Sequence, residues 1–275
     1  MDETLARHVM EAAEALRRLL DCEAPEVPSL PRPPPPPPPP PPATVTRQEA
    51  VAARQRPAAF AAARDASGTS RGSPVGSIPQ FAPAFVDLGD LPEDLEALRA
   101  MVASCTRCPL HATRHLPVFG EGRTASPTVM FVGEGPGADE DRTGLPFVGA
   151  AGQLLDKMIA AMGLAREECF IGNVVKCRPP GNATPTPDQA GTCVPYLHAQ
   201  IRALRPRFLV ALGATAAHAL TGIPDGVARQ RGRVQRYGDI PLVVTYHPAA
   251  LLRNAEYKRP TWADLQLVMA RLRSG

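Results

Sequence analysis

VMFVGEGPGADEDRTGLPFVGAAG, residues 129–152, decides the fold class. Val129, Met130, Phe131 and Val132 form an apolar run that ends at the glycine turn Gly133-Glu134-Gly135-Pro136-Gly137. A short unbroken apolar run marks a strand buried on both faces. An acidic stretch follows, then Pro146-Phe147-Val148-Gly149, then the helical pattern Gln153–Met162. The unit is a buried strand, a loop at its carboxyl end and a helix behind it. In an open α/β sheet that is where ligands bind.

The flanking sequence repeats the pattern. Strands are expected at Thr128–Val132, Cys169–Val174, Phe208–Leu212 and Leu242–Thr245. Helices are expected at Gly149–Met162, Asp188–Leu204, Ala214–Leu220 and Pro260–Leu272. A further helix carries Leu95, Leu98, Met101 and Val102, with Pro92-Glu93-Asp94 as its first turn. Apolar strands alternating with helices imply an α/β fold, a parallel sheet covered on both faces. Arg231–Tyr237 reads as one more strand or an irregular connection.

The first 90 residues read differently. They hold 17 of the 33 prolines and a net charge of −2. Leu5, Val9, Ala13, Leu16 and Leu20 form a helical stripe, short for a stable helix alone in water. That segment docks on a partner or on the main domain, or is only partly formed. Pro33–Pro42 is ten consecutive prolines, a polyproline II spacer of about 3.1 Å per residue. Ala43–Pro83 has little periodicity and reads as disordered linker. The chain thus divides into residues 1–22, a Pro-rich linker over 23–90, and a main domain over 91–275. No apolar run is long enough to span a membrane, and Met1–Leu20 has no signal-peptide core. A cytoplasmic monomer is expected.

Charge divides the domain itself. Residues 91–172 sum to −4 and residues 173–275 to +9. A basic half suits a polyanion such as nucleic acid, although an ordinary solvated surface has the same composition. Cys105-Thr-Arg-Cys108 precedes the first strand, and Cys177 and Cys193 flank a proline-rich segment. A close pair plus two singles suits one four-thiolate site, an iron–sulfur cluster or structural zinc; free core thiols are the alternative. Cys22 and Cys169 read as ordinary thiols.

Gly133-x-Gly135-x-x-Ala138 formally matches a dinucleotide fingerprint. Asp139, Glu140 and Asp141 would repel a pyrophosphate, Pro136 lacks an N–H donor, and no helix is expected promptly after the turn. Three other residues stand at strand ends or beside the loop. Phe147 offers a stacking face. Asn173 pairs a donor with an acceptor, which matches a pyrimidine edge. His247 follows the strand Leu242–Thr245.

These motifs together resemble the family 4 uracil-DNA glycosylases, the iron–sulfur branch of the uracil-DNA glycosylase superfamily. Gly133–Gly137 with Glu140-Asp141 and Gly144-x-Pro146-Phe147-Val148-Gly149 resembles the first motif of that family, Asn173–Pro180 the second, and His247–Arg253 the last. Gly135 stands where alanine is usual. The resemblance covers about two-thirds of the chain and none of residues 1–90. It implies a three-layer α/β/α fold with a central four-stranded parallel sheet, and a structural [4Fe–4S] cluster on Cys105, Cys108, Cys177 and Cys193.

It also implies hydrolysis of the N-glycosidic bond of deoxyuridine in single- or double-stranded DNA. Phe147 would stack on the base, Asn173 would read its edge, and Glu134 and Gly135 would line the wall near C5. His247 would stabilise charge on O2. Glu134 is also a candidate to position the water, whereas Glu140 and Asp141 are expected to hold backbone amides. Leu251 or Leu252 would wedge into the duplex, and Arg253, Lys176, Arg178 and the Arg229–Arg236 cluster would meet phosphates. Arg229-Gln-Arg231-Gly-Arg233 lacks the histidine of a sister group that cross-links to its product, so ordinary turnover is expected. The competing reading is a non-catalytic iron–sulfur DNA-binding or polymerase-associated module.

Overall fold

The computed structural model describes residues 91–274. The expected N-terminal helix, polyproline spacer and linker lie outside the described residues. The strands are β1 (Glu121–Gly122), β2 (Val129–Gly133), β3 (Cys169–Asn173), β4 (Leu209–Leu212), β5 (Val234–Tyr237) and β6 (Ile240–Thr245). They form one sheet in the order β1-β3-β2-β4-β6-β5. The four expected strands are its parallel centre. Two antiparallel edges extend it, β1 against β3 and β5 against β6. The Arg231–Tyr237 segment therefore contributes a strand. β5 is polar and half-exposed, and β1 is two residues long, so neither carries a buried apolar run.

Helices α1 (Leu95–Ala103), α2 (Ala138–Thr143), α3 (Ala150–Ala161), α4 (Pro187–Leu204), α5 (Ala214–Thr221), α6 (Val227–Gln230), α7 (Pro248–Arg253) and α8 (Lys258–Ser274) fill the connections. Alternation along each strand divides the core in two. Met130, Val132, Phe170, Leu209 and Ala211 pack with residues of α1, α4 and α5. Val129, Phe131, Ile171, Val210 and Leu212 pack with residues of α3, α7 and α8. The four central strands bury both faces over most of their length, which is why their sequences are largely apolar. Three helices were not legible as such: α2, hidden in the acidic stretch, the four-residue α6, and α7, which begins directly after His247.

Candidate active site

β2 pairs with β3 on one side and β4 on the other. The chain leaves β2 toward β3 and later returns across it to β4. The connections therefore part at the carboxyl ends of β2 and β4, opening a crevice where a ligand fits. A cleft of about 570 Å³ lies there, lined by Glu134, Phe147, Asn173, Gly213 and His247 among others. Each of these side chains or turns follows a different strand or the loop behind β2.

Phe147 is placed by its backbone. It is buried and adopts φ +53°, the left-handed region that a side chain disfavours. Glu140 holds the loop in this shape. Its Oε1 accepts from the amides of Val148 at 2.9 Å and Gly149 at 3.0 Å, and its Oε2 from Gly137 at 3.0 Å. Asp141 is buried and accepts from the amide of His115 at 2.9 Å. Glycine makes room around the ring. A Cβ on Gly152 would lie 1.8 Å from the Phe147 carbonyl oxygen, and one on Gly133 would lie 2.6 Å from the Phe147 ring. A helix, α2, does start directly after the glycine turn, contrary to the sequence expectation. Glu140 nonetheless occupies the loop amides that a pyrophosphate would need.

His247 caps α7. Its Nδ1 accepts from the amide of Ala249 at 3.2 Å, which assigns the proton of the neutral ring to Nε2. Burial, and secondarily the Arg253 cation, push its pKa down to about 4, against a smaller opposite effect of Glu140. At neutral pH the ring is therefore an uncharged N–H donor. It lies 5.5 Å from the Phe147 ring, centroid to centroid, at 32°.

Asn173 ends β3 and is 1% exposed. Its Oδ1 has no hydrogen-bond partner among the described residues. A Cβ on Gly133, directly across the ladder, would come within 2.4 Å of that oxygen. A buried acceptor left unpaired costs about 1–3 kcal/mol, so it marks a place where a donor arrives. Glu134 is half-buried at the first position beyond β2, and the Thr215 hydroxyl donates to its Oε2. A Cβ on Gly135 would meet Val175 Cγ2 at 2.6 Å, which favours glycine there.

Residues 119–266 match the model of the Uracil DNA glycosylase superfamily. The chain belongs to that superfamily. A type-4 uracil-DNA glycosylase of Thermotoga maritima is 43% identical over 178 residues, covering 63% of this chain and 92% of the relative. One from Pyrobaculum aerophilum is 43% identical over 182 residues, with the same coverage of each chain. A type-5 uracil-DNA glycosylase of Pyrobaculum aerophilum is 32% identical over 175 residues, covering 58% of this chain and 75% of the relative.

Several side chains expected at a DNA face of this glycosylase fold lie elsewhere. Lys176 is 1% exposed, and its Nζ donates to the Asn173 carbonyl oxygen at 2.7 Å and Gln200 Oε1 at 2.6 Å. It cannot reach a phosphate. Leu251 is 3% exposed and belongs to the core, whereas Leu252 is 53% exposed. Only Leu252 is free to act as a wedge. Arg253 is exposed at the rim of the cleft. Arg178 is half-buried, with Nε donating to Asn182 Oδ1 at 2.7 Å. Within the arginine cluster, Arg231 is committed to Asp264 through two bonds of 2.9 Å and is no phosphate ligand. Sequence reading missed Thr215 and Gly213, and no signal flagged Thr215. The α7 helix had one: Pro248 stands at its first position, directly after a capping side chain.

Cys105, Cys108, Cys177 and Cys193 line one small cavity between α1, α4 and the segment after β3. Three donors reach their sulfurs: Arg114 Nη1 to Cys177 at 2.9 Å, the Lys176 amide to Cys193 at 3.3 Å, and Tyr196 Oη to Cys105 at 3.5 Å. Burial pushes the Cys193 thiol up to about 12 and raises that of Cys177, where Arg114 opposes it. Among the described residues no group of three potential ligands closes around a single metal ion. Cys169 is buried on the other face of the sheet, with its pKa pushed up to about 12 by burial.

Proposed function

We propose that this protein excises uracil from DNA by hydrolysing its N-glycosidic bond, leaving an abasic site for base-excision repair. The observation that carries the reading is the unpartnered, buried Oδ1 of Asn173 in one cleft with Phe147 and His247. Uracil presents N3–H and O4 side by side. Asn173 accepts from the first through Oδ1 and donates to the second through Nδ2. Cytosine has the reverse order and would leave two buried polar groups facing like groups. A non-catalytic DNA-binding module gives this amide no task.

The base must leave the stack, at a cost of a few kcal/mol. Phe147 then stacks on it, and Leu252 fills the gap left in the duplex. As the C1′–N1 bond breaks, negative charge collects on uracil O2. His247 donates Nε2–H to that oxygen without being protonated. A donor aimed at developing charge is worth about 2.7–4 kcal/mol. Glu134 and Gly135 wall the C5 side, and Glu134 has a carboxylate oxygen to spare for water. Arg253 and Arg178 serve as phosphate contacts.

Cys105, Cys108, Cys177 and Cys193 would hold a [4Fe–4S] cluster. Four sulfurs around one cavity, three of them already receiving hydrogen bonds, suit a polynuclear cluster, whose thiolates stand farther apart than those of one ion. When bound, the cluster supplies a staple between α1, the segment after β3 and α4. The protein is proposed to act as a monomer in the cytoplasm or nucleoid. No helix among the described residues is long and apolar enough to cross a membrane.

The test is a single-uracil oligonucleotide, single-stranded and duplex, incubated with the protein and cleaved with alkali. Cleavage at the uracil is expected. Its absence with protein showing the brown absorbance of an intact cluster overturns the enzyme reading. Zinc without iron overturns only the cluster.

A further inference from the structure

The first turn of α5 touches both walls of the cleft. On one side Gly213, at φ +90°, donates its amide to the Thr245 carbonyl oxygen at 2.9 Å. A Cβ there would stand 3.2 Å from His247 Cβ. On the other side the Thr215 hydroxyl donates to Glu134 Oε2. Thr215 is the second residue of the helix. A threonine deeper in a helix returns its hydroxyl to the carbonyl four residues back. Here that residue is Ala211, inside β4, and the hydroxyl goes to Glu134 instead.

We propose that Thr215 is a positioning residue for uracil excision, holding Glu134 so that its other carboxylate oxygen binds the attacking water. This rests on the glycosylase reading above. No protein donor reaches Glu134 Oε1 among the described residues, and Glu134 lines the cleft. The bond to Thr215 tethers the Glu134 carboxylate at the wall of the cleft, which leaves Oε1 available to a water there. In the reaction, the water oxygen bonds to C1′ as the C1′–N1 bond breaks. The electron pair of that bond leaves with the uracil anion, and the water gives its proton to the Glu134 side. Thr215 touches none of the reacting atoms and acts only through Glu134.

The test compares Thr215→Val, which keeps shape but loses the hydroxyl, with Thr215→Ser, which keeps the hydroxyl. Single-turnover cleavage of uracil-containing DNA and affinity for the same DNA are both measured. Valine is expected to slow cleavage between about tenfold and a hundredfold with affinity unchanged. Serine is expected to restore most of the rate. In a Glu134→Gln background valine should add little, because both changes remove one function. A wild-type rate for Thr215→Val, or a full multiplicative loss on top of Glu134→Gln, overturns the proposal. Melting midpoints are recorded for each variant, and Thr215→Ala replaces valine should valine fail to fold. A wild-type protein that releases no uracil instead overturns the glycosylase reading itself.

Discussion

Lys176 binds the main-chain oxygen of Asn173 at 2.7 Å, so the side chain that follows β3 ties that strand end to α4 through Gln200. The same residue precedes Cys177 and gives its amide to Cys193. One buried lysine thus links the cleft at the end of β3 to the cavity lined by the four cysteines. Lys176→Met is expected to destabilise the fold by on the order of 2 kcal/mol, because two buried acceptors lose their partner. It should leave the salt dependence of DNA binding unchanged. Arg253→Ala should instead reduce the slope of log affinity against log salt by about one. Binding titrations at several salt concentrations, with denaturant melts, separate the two.

Asn173→Ala is expected to lower uracil excision at least about a hundredfold, the scale of losing a directed hydrogen bond in a buried site. Its melting midpoint should stay at or above that of the parent, because the substitution removes a buried acceptor that the protein leaves unpaired. An activity assay paired with a thermal melt checks both halves. Unchanged activity would refute the base-reading role.

Two glycines should fail in different ways. In Gly133→Ala the new Cβ meets Asn173 Oδ1 at 2.4 Å and the Phe147 ring at 2.6 Å, two pocket side chains. Activity should collapse further than stability. In Gly152→Ala the Cβ meets the Phe147 carbonyl oxygen at 1.8 Å, which is backbone. That variant should lose about 3 kcal/mol of stability or more. Urea midpoints and cleavage rates distinguish the cases.

Adjacent leucines should also diverge. Leu251→Ala removes core volume and should cost about 2–5 kcal/mol. Leu252→Ala should change stability by no more than about 0.5 kcal/mol yet slow excision from duplex DNA. Single-stranded substrate, which has no partner base to leave unpaired, should be affected less. Equal losses on both substrates would remove Leu252 from the wedge role.

The pH dependence follows from two histidines. His247 and His198 are both held down to about 4 from 6.5, chiefly by burial. Between pH 6.5 and 4 the unfolded chain takes up protons that the folded chain refuses, so these groups make stability fall as pH drops through that window. Their contribution is complete above 6.5. Excision should show no inflection near pH 6.5, since His247 stays neutral there and needs no proton to donate. A rate profile and pH-dependent melts test this; an inflection at 6.5 would mean that His247 titrates as a solvent-exposed ring.

The sequence by itself determined the parallel sheet, because strands buried on both faces must be apolar throughout, and Val129–Val132 and Phe208–Leu212 are. It also put a glycine turn, an asparagine and a histidine at the carboxyl ends of three parallel strands, β2, β3 and β6, which lie along one edge of the sheet. Tertiary structure alone decided which neighbours matter. Exposure separates Leu252 from Leu251, and Lys176 from Arg253, although each pair is alike in type. The left-handed backbone of Phe147 depends on Glu140 reaching three amides in two parts of the loop. The bond from Thr215 to Glu134 spans 81 positions in the chain. Periodicity reports what a segment buries; it carries no information about partners that only folding brings within a hydrogen bond.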